Sequence, residues 1–294
     1  MDTIHIRFLR YSAFYSPLLL TMSAGHLERE GLRATYDIVA PGRSIEAGIL
    51  DGSVQVAQSA TAVSFGPWER NEPLPFRHFA LLNSRDGFFL AGRHVAPGAF
   101  DWHSLEGHSA VIDHFFQPMA MFRRALAQKG VDASKIDIID AGDVQSIERS
   151  YRSGRGDFVH LQGPAPQQLE HEGLGTVCAS IGEIVGPVAF STLCAAPRWL
   201  ASDTAQGFVR AFRRAREQAR SAPAEEVAAR VADFLPGVDR AALTRAIGTY
   251  QRMGTWDGDI TLTPDLYERT VDVFVSSGDI STRPPYADIV AALP

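Results

Sequence analysis

The chain has 294 residues, of which 45% are hydrophobic and 21% are charged, and its formal net charge is -6. This length and composition are typical of a globular protein and predict about two domains. The acidic balance, without any run of Lys or Arg, makes nucleic acid and anionic membranes poor candidate partners.

Export and cofactor signals are sparse along the chain. No apolar stretch approaches the ~20 residues that span a membrane, so we expect no membrane insertion. No signal peptide precedes the first strand, which predicts a cytoplasmic protein, or a periplasmic one whose leader was removed. Cys178 and Cys194 are too few for a disulfide framework and are interpreted as buried apolar residues. The sequence contains no metal-ligand cluster and no nucleotide-binding glycine motif, so we expect no metal and no cofactor.

Strand–loop–helix units repeat through the first part of the chain. The strand Thr3–Leu9 alternates in polarity, and Pro17 suits the first turn of the helix that follows. Gly31 ends this helix, and Ser44 caps another short one. Further strands are predicted at 32–39, 54–57, 76–82 and 87–91. The alternation predicts an α/β fold with a largely parallel sheet, in which ligands bind beyond the carboxyl ends of the strands.

A second series of alternating elements starts near Trp102. Strands are predicted at 109–113, 136–139, 158–161, 176–179 and 188–195, with helices at 119–128 and 144–152 and another opening at 162–166. From Pro197 the composition changes to helix formers. Helices are predicted there at 201–221, 223–234, 239–250, 264–277 and 286–293, with a short strand at 259–261. The chain is therefore expected to end in a helical tail.

Five segments of the chain have a recognisable order and spacing. They are 19–32 (LLTMSAGHLEREGL), 44–57 (SIEAGILDGSVQVA), 104–112 (SLEGHSAVI), 125–132 (ALAQKGVD) and 151–157 (YRSGRGD). In this order, and followed by residues 250–256, Tyr267, residues 278–280 and Tyr286 in the C-terminal helices, they resemble the NMT1/THI5/SsuA-like substrate-binding proteins of ABC importers. The resemblance covers nearly the whole chain and implies the type II periplasmic-binding-protein fold, in which two Rossmann-like lobes are joined by a hinge. One lobe would comprise residues 1–92 plus 188–294 and the other 93–187, with hinge strands near 88–93 and 187–192.

The chain departs from this family at several points. Gln55 stands where these proteins usually carry Asp, and their usual leader is missing. The cysteine-rich motif of the pyrimidine-forming THI5 enzymes is absent as well. Aromatic sulfinate desulfinases are cytoplasmic enzymes that share the fold. Their nucleophilic cysteine would fall in the loop Arg10–Ser16, which contains none.

Polar and aromatic side chains follow several strands, at the edge where a ligand would bind. Aromatic rings would stack on a planar ligand, and Arg43 beside a helix N-terminus would hold an anionic group. Gln58 and Ser59 suit neutral polar groups, and His114 and His160 occupy equivalent positions in the second lobe. The predicted ligand site comprises Tyr11, Ser12, Phe14, Tyr15, Arg43, Ser44, Gln58, Ser59, His114, Phe115, Gln117, His160 and Gln162.

Each of these residues also has a purely structural interpretation. Some of the rings could pack inward, Arg43 could belong to a solvated turn, and Ser59 could only cap a helix. A lone histidine is more often structural than functional. No nucleophile, base and orienting group stand in a recognisable arrangement, so no catalytic residue is predicted.

The sequence favours a binding protein over an enzyme. We expect a monomer that captures a small aromatic or planar ligand, with an anionic group left open, and presents it to an ABC permease. Lobe closure would exclude water, and contacts with both lobes would stabilise the closed form. One alternative is a cytoplasmic enzyme on the same scaffold, desulfinase-, lyase- or hydrolase-like, acting on a small aromatic acid. Another is a cytoplasmic ligand sensor without a transporter.

Overall fold

The computed structural model describes residues 1–40, 43 and 45–294. Within these residues, ten strands form two five-stranded sheets. The strands are β1 (Asp2–Phe8), β2 (Leu32–Ile38), β3 (Val56–Ser59), β4 (Arg77–Asn83), β5 (Phe88–Gly92), β6 (Ser109–Val111), β7 (Asp137–Ile139), β8 (Phe158–Gln162), β9 (Thr176–Ser180) and β10 (Ser191–Ala195). The first sheet has the order β2-β1-β3-β10-β4, and the second has the order β7-β6-β8-β5-β9.

The first sheet combines parallel and antiparallel pairing. β1 lies parallel to both β2 and β3, and its alternate residues Ile4, Ile6 and Phe8 are fully buried on one face. β10 lies antiparallel between β3 and β4. β1, β2, β3 and β4 therefore run in the same direction, in agreement with the expected largely parallel sheet, and β10 alone opposes them, because the chain returns to this sheet after building the second one.

The second sheet follows the same plan. β6 lies parallel to β7 and β8, and β5 runs antiparallel between β8 and β9. The chain crosses from the first sheet to the second between Asn83 and Phe88, and it returns between Ser180 and Ser191. The predicted α/β fold with two lobes is confirmed. The lobe boundaries at residues 92 and 187 stay a prediction, and the pairing of β5 favours a first crossing before Phe88.

Helices cover both sheets. The described α-helices are α1 (Ser16–Ser23), α2 (Ile45–Asp51), α3 (Phe65–Glu69), α4 (Phe116–Lys129), α5 (Val144–Arg152), α6 (Ala165–His171), α7 (Ile181–Val185), α8 (Pro197–Leu200), α9 (Asp203–Ser221), α10 (Ala224–Val231), α11 (Arg240–Arg252), α12 (Pro264–Ser277) and α13 (Tyr286–Ile289). None of these helices is both long and apolar enough to cross a membrane.

The predicted helical tail is confirmed, and buried polar bonds join it to both lobes. Trp256 donates from Nε1 to Asn83 Oδ1 at 2.8 Å, at the end of β4. The hydroxyl of Tyr250 donates to the carbonyl of Gly87 at 2.7 Å and accepts from the backbone N–H of Gly163 at 2.9 Å. Tyr250 therefore ties the tail to the first crossing and to the loop after β8. We call Tyr250, Trp256 and these partners the tail anchor.

The short strand predicted at 259–261 does not form, so that expectation is wrong. The carbonyl of Ile260 accepts one bond from the backbone N–H of Leu81 at 2.6 Å. The carbonyl of Asp259, inside the predicted strand, accepts from Nη1 of Arg216 at 3.1 Å, and the guanidinium of Arg216 is almost fully buried. Because a strand needs these carbonyls for its own ladder, the segment stays irregular.

Candidate functional site

A cleft lies between the two sheets, beyond the carboxyl ends of β1, β3 and β8. It encloses about 520 Å³ of empty space including its open mouth, of which about 60 Å³ admits the centre of a water molecule. The volume comparable to that of known ligand pockets is about 60 Å³, far below the ~300–1,000 Å³ typical of them, so the cleft is narrow in this conformation. Its lining includes Arg10, Tyr15, Gln58, Phe88, Phe115, Gln117, Gln162, Phe190 and Ser191.

Aromatic rings from both lobes form the walls of the cleft. Tyr15 ends the 3₁₀ turn that follows β1, whereas Phe88 begins β5 and Phe190 precedes β10. The rings of Phe88 and Phe190 lie 6.2 Å apart between centroids. Phe115 is 59% exposed at the start of α4 and lies at the mouth. These walls suit a flat apolar ligand surface.

Two buried glutamines bring hydrogen-bonding groups into the cleft from the second lobe. Gln117 donates from Nε2 to the carbonyl of Phe190 at 2.6 Å, and Gln162 Nε2 lies 3.4 Å from the hydroxyl of Tyr15. The exposed fractions of Gln117 and Gln162 are only 5% and 6%. The Oε1 atoms of both glutamines have no hydrogen-bond partner among the described residues. Such orphaned acceptors are costly unless something else binds them.

Charge enters the cleft through an ion pair that spans the two lobes. Arg10, directly after β1, places Nη1 3.4 Å from Oδ2 of Asp113, which follows β6. The side chain of Asp113 is 5% exposed, and its Oδ1 accepts from the backbone N–H of Phe115 at 2.9 Å. Nearby, Gln58 uses Oε1 to accept from the backbone N–H of Leu9 at 3.1 Å. The first lobe thus contributes a cation that already has a partner.

Tyr11 lies outside the cleft, although it belongs to the predicted site. Its ring packs edge-on against Phe8 at 5.1 Å and against Phe234 of the tail at 5.7 Å. Burial raises the pKa of its hydroxyl, and Tyr36 and Asp37 raise it further. Tyr11 instead lines a separate groove between the lobes and the tail.

Ser12, Phe14 and Ser59 lie behind the cleft surface. The hydroxyl of Ser12 donates to the carbonyl of Gly163 at 2.5 Å and accepts from the backbone N–H of Phe14 at 3.1 Å. Phe14 is fully buried, with its ring 5.5 Å from that of Phe190. Ser59 is fully buried at the end of β3, and its Oγ has no partner within the described part of the chain. These three residues pack beneath the residues that line the cleft and do not line it themselves.

Arg43, which was predicted to hold an anionic group, does not line the cleft. Arg43 is exposed, and its backbone N–H donates to the carbonyl of Ala40 at 3.0 Å. Ser44 falls outside the described residues. The cation that does line the cleft is Arg10.

The two predicted histidines lie in different environments. His114 is partly exposed, and its Nδ1 lies 2.8 Å from the carbonyl of Ile112. His160 is fully buried, stacked on Phe88 at 4.6 Å and close to Phe122 at 5.3 Å. Burial lowers the pKa of His160 to about 3, so this ring is neutral at neutral pH. Neither ring nitrogen of His160 has a partner among the described residues. Phe88 separates it from the cleft.

The sequence interpretation missed Arg10, Phe88, Phe190 and Ser191, all of which line the cleft. Arg10 opens the loop from which other site residues were taken, so its position was available as a signal. Phe88, Phe190 and Ser191 lie at the two places where the chain passes from one sheet to the other. These residues come together in the cleft only through the geometry of the two crossings, which no local sequence pattern predicts.

The thiol of Cys178 is neither in the cleft nor ionised at neutral pH. Cys178 lies on β9, away from the cleft, where its thiol donates to the carbonyl of Leu90 at 3.3 Å. Burial raises the pKa of this thiol to about 12, so it is not a thiolate at neutral pH. Among the described residues, no group of three or more His, Cys, Asp or Glu side chains is placed to hold a metal ion.

Comparison with known proteins supports the sequence resemblance. A family model described as NMT1/THI5 like matches residues 15–226. One curated relative, named "Putative binding protein YtlA" from Bacillus subtilis, is 25% identical over 99% of this chain and 88% of its own length.

Several solved structures share the fold. A ligand-binding component of an ABC-type import system from Staphylococcus aureus, with zinc bound, superposes with a TM-score of 0.79 at 14% identity, over 99% of this chain and 97% of that one. The periplasmic aliphatic sulphonate binding protein SsuA from Escherichia coli gives 0.76 at 14% identity, over 100% and 93%. The desulfurization enzyme DSZB, solved with biphenyl-2-sulfinic acid, gives 0.72 at 14% identity, over 99% and 96%. The predicted family and the predicted periplasmic-binding-protein fold are confirmed.

Proposed function

Because this chain belongs to the NMT1/THI5-like family, we propose that it is a solute-binding protein that captures a small planar or aromatic ligand between its lobes. The observation that carries the proposal is the cleft itself. Aromatic walls from both lobes enclose buried Gln117 and Gln162, whose acceptor atoms have no partner among the described residues. A ligand that enters this space meets both lobes at once.

The two lobes already contact each other around the cleft, and a bound ligand would add further contacts between them. Gln117 of the second lobe binds the backbone of Phe190, and Arg10 of the first lobe reaches Asp113. The interior of the cleft is narrow in this structure, so we expect ligand entry to require the lobes to part at the two crossings. A ligand that contacts both sides then shifts the equilibrium toward closure.

We assign this protein to ABC import, with a permease as its partner and the periplasm as its location. Support comes from the ligand-binding component of an ABC-type import system and the periplasmic sulphonate binding protein that share its fold. The identity of the relatives' ligands does not extend to this chain, because their sequences are only 14% identical.

An enzyme on the same scaffold is the second candidate, and the desulfurization enzyme with this fold favours it. The cleft lining argues against it, because Cys178 and Cys194 both lie away from the cleft. Turnover distinguishes the two candidates: a binding protein leaves its ligand chemically unchanged.

The test begins with ligands that copurify with the protein, identified by native mass spectrometry, and with a thermal-shift panel of sulfonates, pyrimidines and aromatic acids. A ligand at 100 times its Kd should stabilise the fold by about 2.7 kcal/mol. Tyr15→Ala removes a cleft wall and should weaken binding of the hit at least about tenfold, since a buried aromatic contact is worth over ~1 kcal/mol.

Tyr36→Ala is the matched control, because Tyr36 is half-exposed on β2 and does not line the cleft. It should leave the Kd unchanged. Equal Kd values for wild type and Tyr15→Ala would refute the cleft as the binding site. Consumption of the hit during incubation would replace the binding protein with the enzyme.

A further inference from the structure

We propose that the cleft selects an uncharged planar ligand that carries an N–H donor, and that Asp113 sets this choice by neutralising Arg10. The inference rests on the proposed binding function, and it names the chemical class of the ligand. It departs from the sequence expectation that an arginine would hold an anionic group.

The charged groups at the cleft compensate each other. Among the described residues that line it, Arg10 is the one Lys or Arg. Its guanidinium already has the carboxylate of Asp113 as a partner across the lobes. That carboxylate is itself held in place, because its other oxygen accepts from the backbone N–H of Phe115. The cleft therefore offers an incoming anion no uncompensated positive charge.

A second carboxyl group lies close behind the first. Asp86 is fully buried at the first crossing, and its Oδ1 accepts from the backbone N–H of Phe88 at 2.6 Å. Burial raises the pKa of Asp86 well above its usual range, and the charge of Asp113 raises it further. An anionic ligand next to Asp113 would add another negative charge to a poorly solvated region, which is unfavourable.

The unpartnered acceptor oxygens of the cleft favour a ligand with N–H groups. The carbonyl of Phe190 can only accept, so Gln117 must turn its NH₂ group toward it at 2.6 Å. This orientation leaves Gln117 Oε1 as an acceptor without a partner. Gln162 Oε1 is likewise an acceptor without a partner when Gln162 turns its Nε2 toward the hydroxyl of Tyr15. A carboxylate or sulfonate has no hydrogen to donate to these oxygens, whereas a primary amide or an amino-substituted ring does.

The test uses benzamide and benzoate, which have nearly the same shape and differ in charge and in N–H donors. Binding of each is titrated against wild type, Asp113→Asn and Asp37→Asn. Asn at position 113 keeps an acceptor for the N–H of Phe115 but frees Arg10. Asp37→Asn is the matched control, because Asp37 pairs with Arg7 on the sheet edge outside the cleft.

Wild type should bind benzamide at least about tenfold more tightly than benzoate. In Asp113→Asn this preference should fall at least about tenfold, chiefly through a gain in benzoate affinity. Asp37→Asn should keep the wild-type preference. A melting temperature near that of wild type shows that each variant is folded.

The proposal is overturned if wild type binds benzoate as tightly as benzamide, or if it binds neither. It is also overturned if folded Asp113→Asn keeps the wild-type preference. A charged ligand whose binding depends on Tyr15 would remove this inference alone and leave the proposed binding function standing. Failure of every ligand to depend on Tyr15 would remove the binding function as well.

Discussion

The tail anchor and the cleft are both built from buried polar groups, but they differ in how these groups are satisfied. In the tail anchor, the hydroxyl of Tyr250 has two backbone partners and the indole N–H of Trp256 has Asn83 Oδ1, whereas Asn83 Nδ2 has no partner among the described residues. In the cleft, acceptor oxygens of Gln117 and Gln162 have no partner among the described residues. Satisfied buried groups rigidify a fold, whereas orphaned ones are a cost that a ligand can remove. This difference distinguishes the part that joins the tail to the lobes from the part that we propose binds a ligand.

The largest effect on stability is expected from Trp256→Ala in the tail anchor. Trp256 is almost fully buried, its ring lies tilted against that of Tyr250 at 5.9 Å, and its indole N–H donates to Asn83. Loss of the ring should lower the free energy of unfolding by about 4 kcal/mol, because it leaves a cavity and an unpaired amide. Denaturant titration measures this. A loss as small as that of the exposed Tyr36→Ala would contradict the assignment of Trp256 to the anchor.

Tyr250→Phe should have the next largest effect. It keeps the ring but leaves the carbonyl of Gly87 and the N–H of Gly163 without their partner. Two orphaned backbone groups should cost about 3 kcal/mol of unfolding free energy. Tyr267→Phe is the matched control, since that buried hydroxyl has one carbonyl partner, Pro284, and its loss should cost less. Equal losses in the two variants would show that Tyr250 is not a special link between the lobes and the tail.

The smallest expected effect concerns His160, which lies behind the cleft and has no hydrogen-bond partner in the described part of the chain. Its pKa of about 3 lies below the ~6.5 of an unfolded histidine, so protons bind preferentially to the unfolded chain. Stability should therefore fall as the pH drops from about 6.5 toward 3, by about 2 kcal/mol between pH 7 and pH 5. His160→Phe should remove this increment, and at pH 7 it should not lower the melting temperature.

His78 provides the internal reference for that experiment. Burial also lowers its pKa to about 3, but its ring nitrogens have Ser64 and Thr192 as partners. Because His78 remains in the His160→Phe variant, the pH dependence should weaken without vanishing. A variant with the full wild-type pH dependence would show that His160 is not held neutral in the folded state.

Local patterns were enough to predict where strands end, and with them much of the cleft. Tyr15 follows β1, Gln58 and Gln162 lie at the carboxyl ends of β3 and β8, and all three line the cleft. The bounds of α5 and α12 also match, because each starts at a cap, Asp143 or Thr263, whose side chain accepts from the first turn. Helix periodicity and capping are local, so they can be interpreted without knowing the fold.

Depth and pairing, in contrast, depend on how distant segments meet. His160 and Gln162 are two residues apart and share one face of β8, yet only Gln162 reaches the cleft, because Phe88 of a neighbouring strand covers His160. Arg10 and Asp113 are 103 residues apart and pair only because the two lobes face each other. Strand periodicity specifies the face of a residue but not the side chain packed above it, and a charge in a loop does not reveal its partner. The sequence therefore establishes the family and the two lobes and predicts the edge at which we propose that a ligand binds, whereas the packing of one lobe against the other determines which of the candidate residues reach that edge.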